Sequence, residues 1–395
     1  MSAFSEARLA RIAPALRAHV DRGAVAGLVA LIARRDAVHV EAIGLRDIAT
    51  AAPMRRDSLF RVASMTKTLL AAAAMTLVEE TRLRLDDPLD PWLPELADRR
   101  VLRHIDSPLD DTVPAHRAIT LRDLLTLRLG LGVFMAMPGT WPIQAAMAAA
   151  GVEPGPDAVP FGADEFMRRL GTLPLAHQPG AGWLYHTGYD VLAVLLARVT
   201  GMALGDLLAE RILAPLGMAD TGFQVPAASL GRLTTAYRGD GAGGLAVQDD
   251  ARDSVWSRPP AMPTEVVATA DDFLAFGRML LAGGRHGGRR ILSRASVALM
   301  LTDQVTRAQK DAWPFFPGFW DGNGWGFGGA VTTRRDDIAA SPGRYGWHGG
   351  FGTTFMIDPR EEMVVILLTQ RLMQSADDGR ISNDALTLAY QAIGD

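Results

Sequence analysis

Arg61-Val62-Ala63-Ser64-Met65-Thr66-Lys67-Thr68-Leu69-Leu70-Ala71-Ala72-Ala73-Ala74 is the stretch on which the reading of this chain turns. Its Leu and Ala run is a strong helix former, and the pattern predicts a helix over 64–80 that starts at or near Ser64. A spacing of three sets Ser64 and Lys67 one turn apart on one face. At a helix start the Ser64 N–H has no intrahelical acceptor, while the positive end of the helix dipole and burial both disfavour an ammonium ion. A lysine so placed is able to take the serine proton and make Ser64 a nucleophile. On the tetrapeptide alone, Ser64 as a plain N-cap stays open. Composition adds weight to the lysine: of 40 basic residues, only Lys67 and Lys310 are lysine, and the rest are arginine. Arginine cannot be deprotonated in a protein, whereas lysine can.

Working outward, two apolar runs at 26–33 and 38–44, joined through Arg34-Arg35-Asp36, read as a hairpin. The carboxy-terminal part mirrors it, with strands expected at 325–333, 353–357 and 363–369 and a closing helix at 383–393. Strands from both chain ends are expected to share one antiparallel sheet flanked by terminal helices. Between them the pattern is helical, at 120–128, 163–170, 190–200, 204–213 and 271–281, and Pro/Gly-rich connections at 137–160, 238–244 and 257–263 interrupt it. This predicts an α+β fold. Residues 1–95 and 261–395 form a sheet domain, residues 96–260 form a mainly helical one, and a cleft between them holds the site.

Composition bounds the chemistry. The chain has 395 residues, 48% hydrophobic and 21% charged, enough to bury a full core. A net charge of -4 provides no basic field for nucleic acid or an anionic membrane surface. There is no cysteine, so disulfides, thiolate metal sites and cysteine nucleophiles drop out. The amino-terminal segment spaces Leu9, Ile12, Leu16 and Val20 on one helical face among charges, unlike a signal peptide, and no apolar run reaches the roughly 18 residues of a membrane span. A cytoplasmic protein acting on a small molecule is expected, with no cofactor, no metal, no nucleic-acid partner and no membrane; the oligomeric state is not readable.

Three further stretches give the nucleophile a family context. Leu85-Asp86-Asp87-Pro88 follows about twenty residues after Arg61–Lys67, and Leu216–Phe223 and Thr269-Ala270-Asp271-Asp272 come later. Together they resemble the penicillin-binding-protein-like serine hydrolases, specifically the esterase branch similar to class C β-lactamases (family VIII carboxylesterases). The resemblance covers most of the chain and implies that fold. It implies Ser64 as nucleophile, Lys67 and Tyr185 (in Tyr185-His186-Thr187) as proton-transfer partners, and the N–H groups of Ser64 and Gly350 as oxyanion hole. Thr187 stands where the family's second motif usually has Asn. The third motif falls on Trp347-His348-Gly349, or on His348-Gly349-Gly350 in an alternative register. Neither register offers the lysine that grips a β-lactam carboxylate. Trp347, His348, Gly349, Phe351 and Thr187 are therefore expected around the substrate, and an ester is favoured over a lactam.

Competing signatures lack their context. There is no Gly-x-Ser-x-Gly, and the spacings Gly239-x-Gly241-x-x-Gly244 and Gly324-x-Gly326-x-x-Gly329 do not lie between a strand and a helix. The aromatic stretch 314–329 reads as core and cleft wall. The leading expectation is a carboxylesterase for short to medium acyl chains. A β-lactamase, D-amino-acid peptidase or acyltransferase with the same machinery is the alternative, and a binding protein on an inactive scaffold is the third.

Overall fold

A computed structural model of the protein describes residues 3–155, 158–375 and 378–394. Eight strands form one antiparallel sheet: β1 (Gly27–Arg34), β2 (Ala37–Asp47), β3 (Ala52–Pro53), β4 (Asn323–Trp325), β5 (Ala330–Thr332), β6 (Tyr345–Gly349), β7 (Thr353–Asp358) and β8 (Met363–Thr369). Their spatial order is β4-β5-β6-β7-β8-β1-β2-β3. The two ends of the chain meet at β1 and β8, paired from Leu28 opposite Thr369 to Arg34 opposite Met363.

Both of these strands are buried along their whole length, which explains why they read as continuous apolar runs rather than alternating ones. Val29, Leu31, Ala33, Val364, Ile366 and Leu368 face the large core that contains α2 (Thr66–Glu79) and α4 (Ala270–Leu281). Their alternates Leu28, Ala30, Ile32, Met363, Val365 and Leu367 pack beneath α1 (Ile12–Asp21) and α5 (Arg380–Gln391) through Ile12, Leu16, Leu386 and Ala389. Each fully buried Leu or Ile contributes roughly 2 kcal/mol. Among the described residues no single helix is long and apolar enough to cross a membrane.

Several boundaries differ from expectation. The stretch 325–333 is not one strand, because Gly326 to Gly329 turns the chain between β4 and β5, with the Gly326 N–H on the Gly329 carbonyl at 2.9 Å. The connection 137–160 contains a helix, Pro142–Ala150, with Pro at its first turn; residues 156 and 157 lie outside the described residues. Helix α3 (Thr187–Thr200) begins three residues earlier than the expected 190. The expected helix 120–128 is the single turn Leu121–Leu125, closed by a Thr120/Asp123 capping box. Two sequence landmarks meet in space, since Asp272 Oδ2 accepts from the Thr221 hydroxyl at 2.7 Å and from the Asp220 N–H at 3.0 Å.

Candidate active site

Ser64 does not cap α2. It lies in a 3-10 turn, Ala63–Met65, that precedes the helix, and it is nearly buried. Ala63 takes φ +46°, a left-handed conformation that a residue with a Cβ adopts at some cost. Thr66 staples the turn: its hydroxyl donates to the Ala63 carbonyl at 2.7 Å and accepts the Val266 N–H at 3.0 Å. Helix α2 is buried on every side from Thr66 to Leu77, as its unbroken Leu and Ala composition requires. That rigidity fixes Lys67, whose Nζ donates to Ser64 Oγ at 3.0 Å.

The two lysines do different things. Lys310 is an ion-pair residue, with Nζ on Asp303 Oδ2 at 2.6 Å. Lys67 is only 4% exposed, and among the described residues its one hydrogen bond is to the serine. Its Nζ lies 4.9 Å from the centroid of the Tyr185 ring.

Tyr185 ends a loop held against Val133, whose N–H reaches the Tyr185 carbonyl at 2.8 Å. Gly132 is needed there, because a Cβ would stand 2.8 Å from the Leu184 carbonyl carbon. The next residue, His186, has φ +87° and ψ -75°, a strained γ-turn geometry that swings the chain from the loop into α3. The Tyr185 hydroxyl accepts the Trp347 indole N–H at 2.6 Å. Of the two residues that could open the third motif, Trp347 is the one that faces Tyr185. His348 lies on the opposite face of β6, with Nδ1 2.9 Å from Thr354 Oγ1, which in turn bonds the Ser382 hydroxyl of α5. Burial and the Arg344 charge push its imidazole pKa down to about 4.

The start of β7 is locked to the serine turn by Thr353 Oγ1, which donates to the Val62 carbonyl at 3.1 Å. Gly349 and Gly350 border the same cavity as Ser64, and around Gly350 there is open space. The cavity measures about 760 Å³ and has aromatic walls that include Phe315, Phe319, Tyr185 and Phe351. It therefore brings together Ser64, Tyr185, Trp347, Gly349, Gly350 and Phe351, with Lys67 bonded to the serine, and it is also bordered by His348. Thr187 does not belong to the substrate-contacting set. It is fully buried in the first turn of α3, and its hydroxyl has no partner among the described residues. Among the described residues no group of three or more His, Asp or Glu side chains could hold a metal ion.

Two carboxyl groups near Lys67 escaped the sequence reading, because no motif marks them. Asp190 lies one turn into α3; burial raises its pKa from 3.8 to about 7, with the Lys67 charge pulling the other way and Glu265 reinforcing the rise. Glu265 borders the cavity, and its carboxyl is also pushed up by burial against the pull of Lys67. His186 Nε2 is 3.5 Å from Asp190 Oδ2, but burial and the Lys67 charge hold the ring's pKa well below its usual value and so keep it neutral. Between about pH 4 and pH 7 the folded Asp190 holds a proton that the unfolded chain has released, so this group makes stability fall as pH rises through that window. Asp190→Asn should flatten the fall and gain on the order of a few kcal/mol at pH 8 relative to pH 4. Urea unfolding of both proteins at the two pH values checks this, and parallel curves would contradict it.

The chain is similar to known proteins along most of its length. The family model described as Beta-lactamase matches residues 12–389. Protein Rv1367c of Mycobacterium tuberculosis is 39% identical over 370 residues, covering 90% of this chain and 88% of its own length. Esterase EstB of Burkholderia gladioli is 30% identical over 355 residues, covering 87% and 85%. Among solved structures, EstCE1, described as a hydrolase with promiscuous acyltransferase activity, superposes with a TM-score of 0.80 at 27% identity, covering 97% of this chain and 99% of the other.

Proposed function

The chain belongs to the β-lactamase family of serine hydrolases, and from that premise we propose that it cleaves carboxylic esters through an acyl-enzyme on Ser64. The observation that carries the reading is the pairing at the site: Lys67 is committed to the nucleophile, and the third-motif position holds Tyr185 through an indole rather than presenting a cation. Ser64 Oγ attacks the carbonyl carbon as its proton passes to Lys67 and Tyr185. The carbonyl oxygen takes the negative charge between the N–H groups of Ser64 and Gly350. Collapse breaks the bond to the alcohol, which leaves with that proton. A water then repeats the sequence on the acyl-enzyme, and the acid is released. Trp347 has no positive charge with which to hold a β-lactam carboxylate, which favours neutral esters. Support comes also from two similar proteins whose descriptions name an esterase and a hydrolase.

The test is turnover of p-nitrophenyl acetate and butyrate beside nitrocefin. Ester kcat/KM should exceed that of nitrocefin by roughly 100-fold, the scale of one or two lost charge-assisted contacts. Nitrocefin turnover equal to ester turnover would overturn the ester reading in favour of a β-lactamase. The acyltransferase description of EstCE1 supports a second reading, in which an alcohol replaces water in the same cleft. Ester exchange that outruns hydrolysis when an alcohol is added would establish it.

Trp347→Phe keeps an aromatic wall but removes the N–H on the Tyr185 hydroxyl. Loss of one short hydrogen bond at a proton-transfer residue should lower kcat about 10-fold with little change in KM. A change confined to KM would mean that Trp347 only shapes the pocket.

A further inference from the structure

The Glu265 carboxylate stands in the cleft without an assigned task. The backbone beside it is tied to the serine turn at two points, the Val266 N–H to Thr66 Oγ1 at 3.0 Å and the Val62 N–H to the Val266 carbonyl at 3.1 Å. Two residues on, Val267 pairs with Arg61. The backbone that carries Glu265 is therefore fixed relative to the serine turn, and Glu265 and Ser64 border the same cavity. Among the described residues it has neither a hydrogen bond nor an ion pair. Glu265 is half-buried, and a carboxylate that borders a cavity without a protein partner is an acceptor open to a ligand.

The cations on the page do not fill it. Lys67 lies beyond ion-pair distance and is engaged with Ser64 Oγ. Arg344, the one arginine or lysine among the described residues bordering the cavity, donates to the Ala339 carbonyl and belongs to the end near His348 and Ser382. The cavity that Glu265 and Ser64 border is also lined by Tyr185, Phe315, Phe319 and Trp347, aromatic side chains whose rings attract a cation. Lys67 Nζ at 4.9 Å from the Tyr185 ring is an example within the molecule. A carboxylate set among aromatic faces recognises an ammonium group, and the same charge repels a substrate carboxylate.

We infer that Glu265 selects esters that carry an ammonium group near the reacting carbonyl and rejects those that carry a carboxylate there. This rests on the ester reading above and adds to it the charge of the substrate.

The test uses two matched series on the full chain. One varies the acyl part of p-nitrophenyl esters: γ-trimethylammonio-butanoate, its neutral tert-butyl isostere and the glutarate half-ester. The other compares acetylthiocholine with its neutral tert-butyl isostere. In at least one series kcat/KM for the cationic ester should exceed that of the neutral isostere by about 10-fold, and the half-ester should fall below the isostere. Glu265→Gln should abolish the cation-to-neutral ratio and raise the anion-to-neutral ratio, and Glu265→Asp should keep part of the preference. Equal turnover of cationic and neutral esters in both series, or an equal proportional loss on every ester in Glu265→Gln, would overturn the inference. Turnover of the neutral isosteres reports on the ester reading and the charge ratios report on Glu265, so the two fail separately.

Discussion

Ser64→Ala is expected to lower kcat/KM for p-nitrophenyl butyrate roughly 10⁶-fold, the scale seen when a serine hydrolase loses its nucleophile. The substitution removes one oxygen from a 3-10 turn whose conformation is held by other groups, namely the Thr66 hydroxyl and the bond from Thr353 Oγ1 to the Val62 carbonyl. The turn and the N–H of residue 64 therefore survive. Hydrolysis at roughly 10³ to 10⁴ over water should remain, from substrate binding and the backbone donors alone. Stopped assays with purified protein, with thermal unfolding to verify the fold, measure the drop. Equal rates in the two proteins would remove Ser64 from the mechanism.

Lys67→Arg is expected to cost roughly 10²- to 10⁴-fold in kcat/KM although it keeps the positive charge. In a chain that uses arginine for nearly every cation, the position one turn after the serine is the place where a group able to give up its proton is required. The side chain is nearly buried and bonds only Ser64 among the described residues, so the larger guanidinium also has to be accommodated. Lys67→Met separates the two effects, since it fits the space and has no proton to exchange. Losses of similar size in both variants identify proton transfer as the missing step. Near wild-type turnover in Lys67→Arg would show that Lys67 acts by charge alone.

Much of this arrangement was legible in the sequence because it is local. Ser64 and Lys67 are three residues apart where a 3-10 turn runs into α2, and β1 and β8 are continuous apolar runs that form buried strands. What was not legible depends on contacts between distant segments. Tyr185 and Trp347 are 162 residues apart, and only the alternation of β6 decides that Trp347 rather than His348 turns toward the site. The break in the stretch 325–333 follows from a turn at Gly326 to Gly329, in a segment whose aromatic residues suit either a strand or a wall. Thr187 was placed near the substrate by its motif position, yet the sharp turn at His186 drives its hydroxyl inward. Asp190 and Glu265 carry no signal in sequence, because their significance is their nearness to Lys67.

The central claim is a covalent acyl group on one serine. Intact-protein mass measured after acid quenching of a reaction with p-nitrophenyl butyrate, followed by peptide mapping, tests it most directly. The expected result is a mass gain of one butyryl group per chain, located on Ser64 and absent in Ser64→Ala. A butyryl group on another residue, or one that persists in Ser64→Ala, would contradict the account.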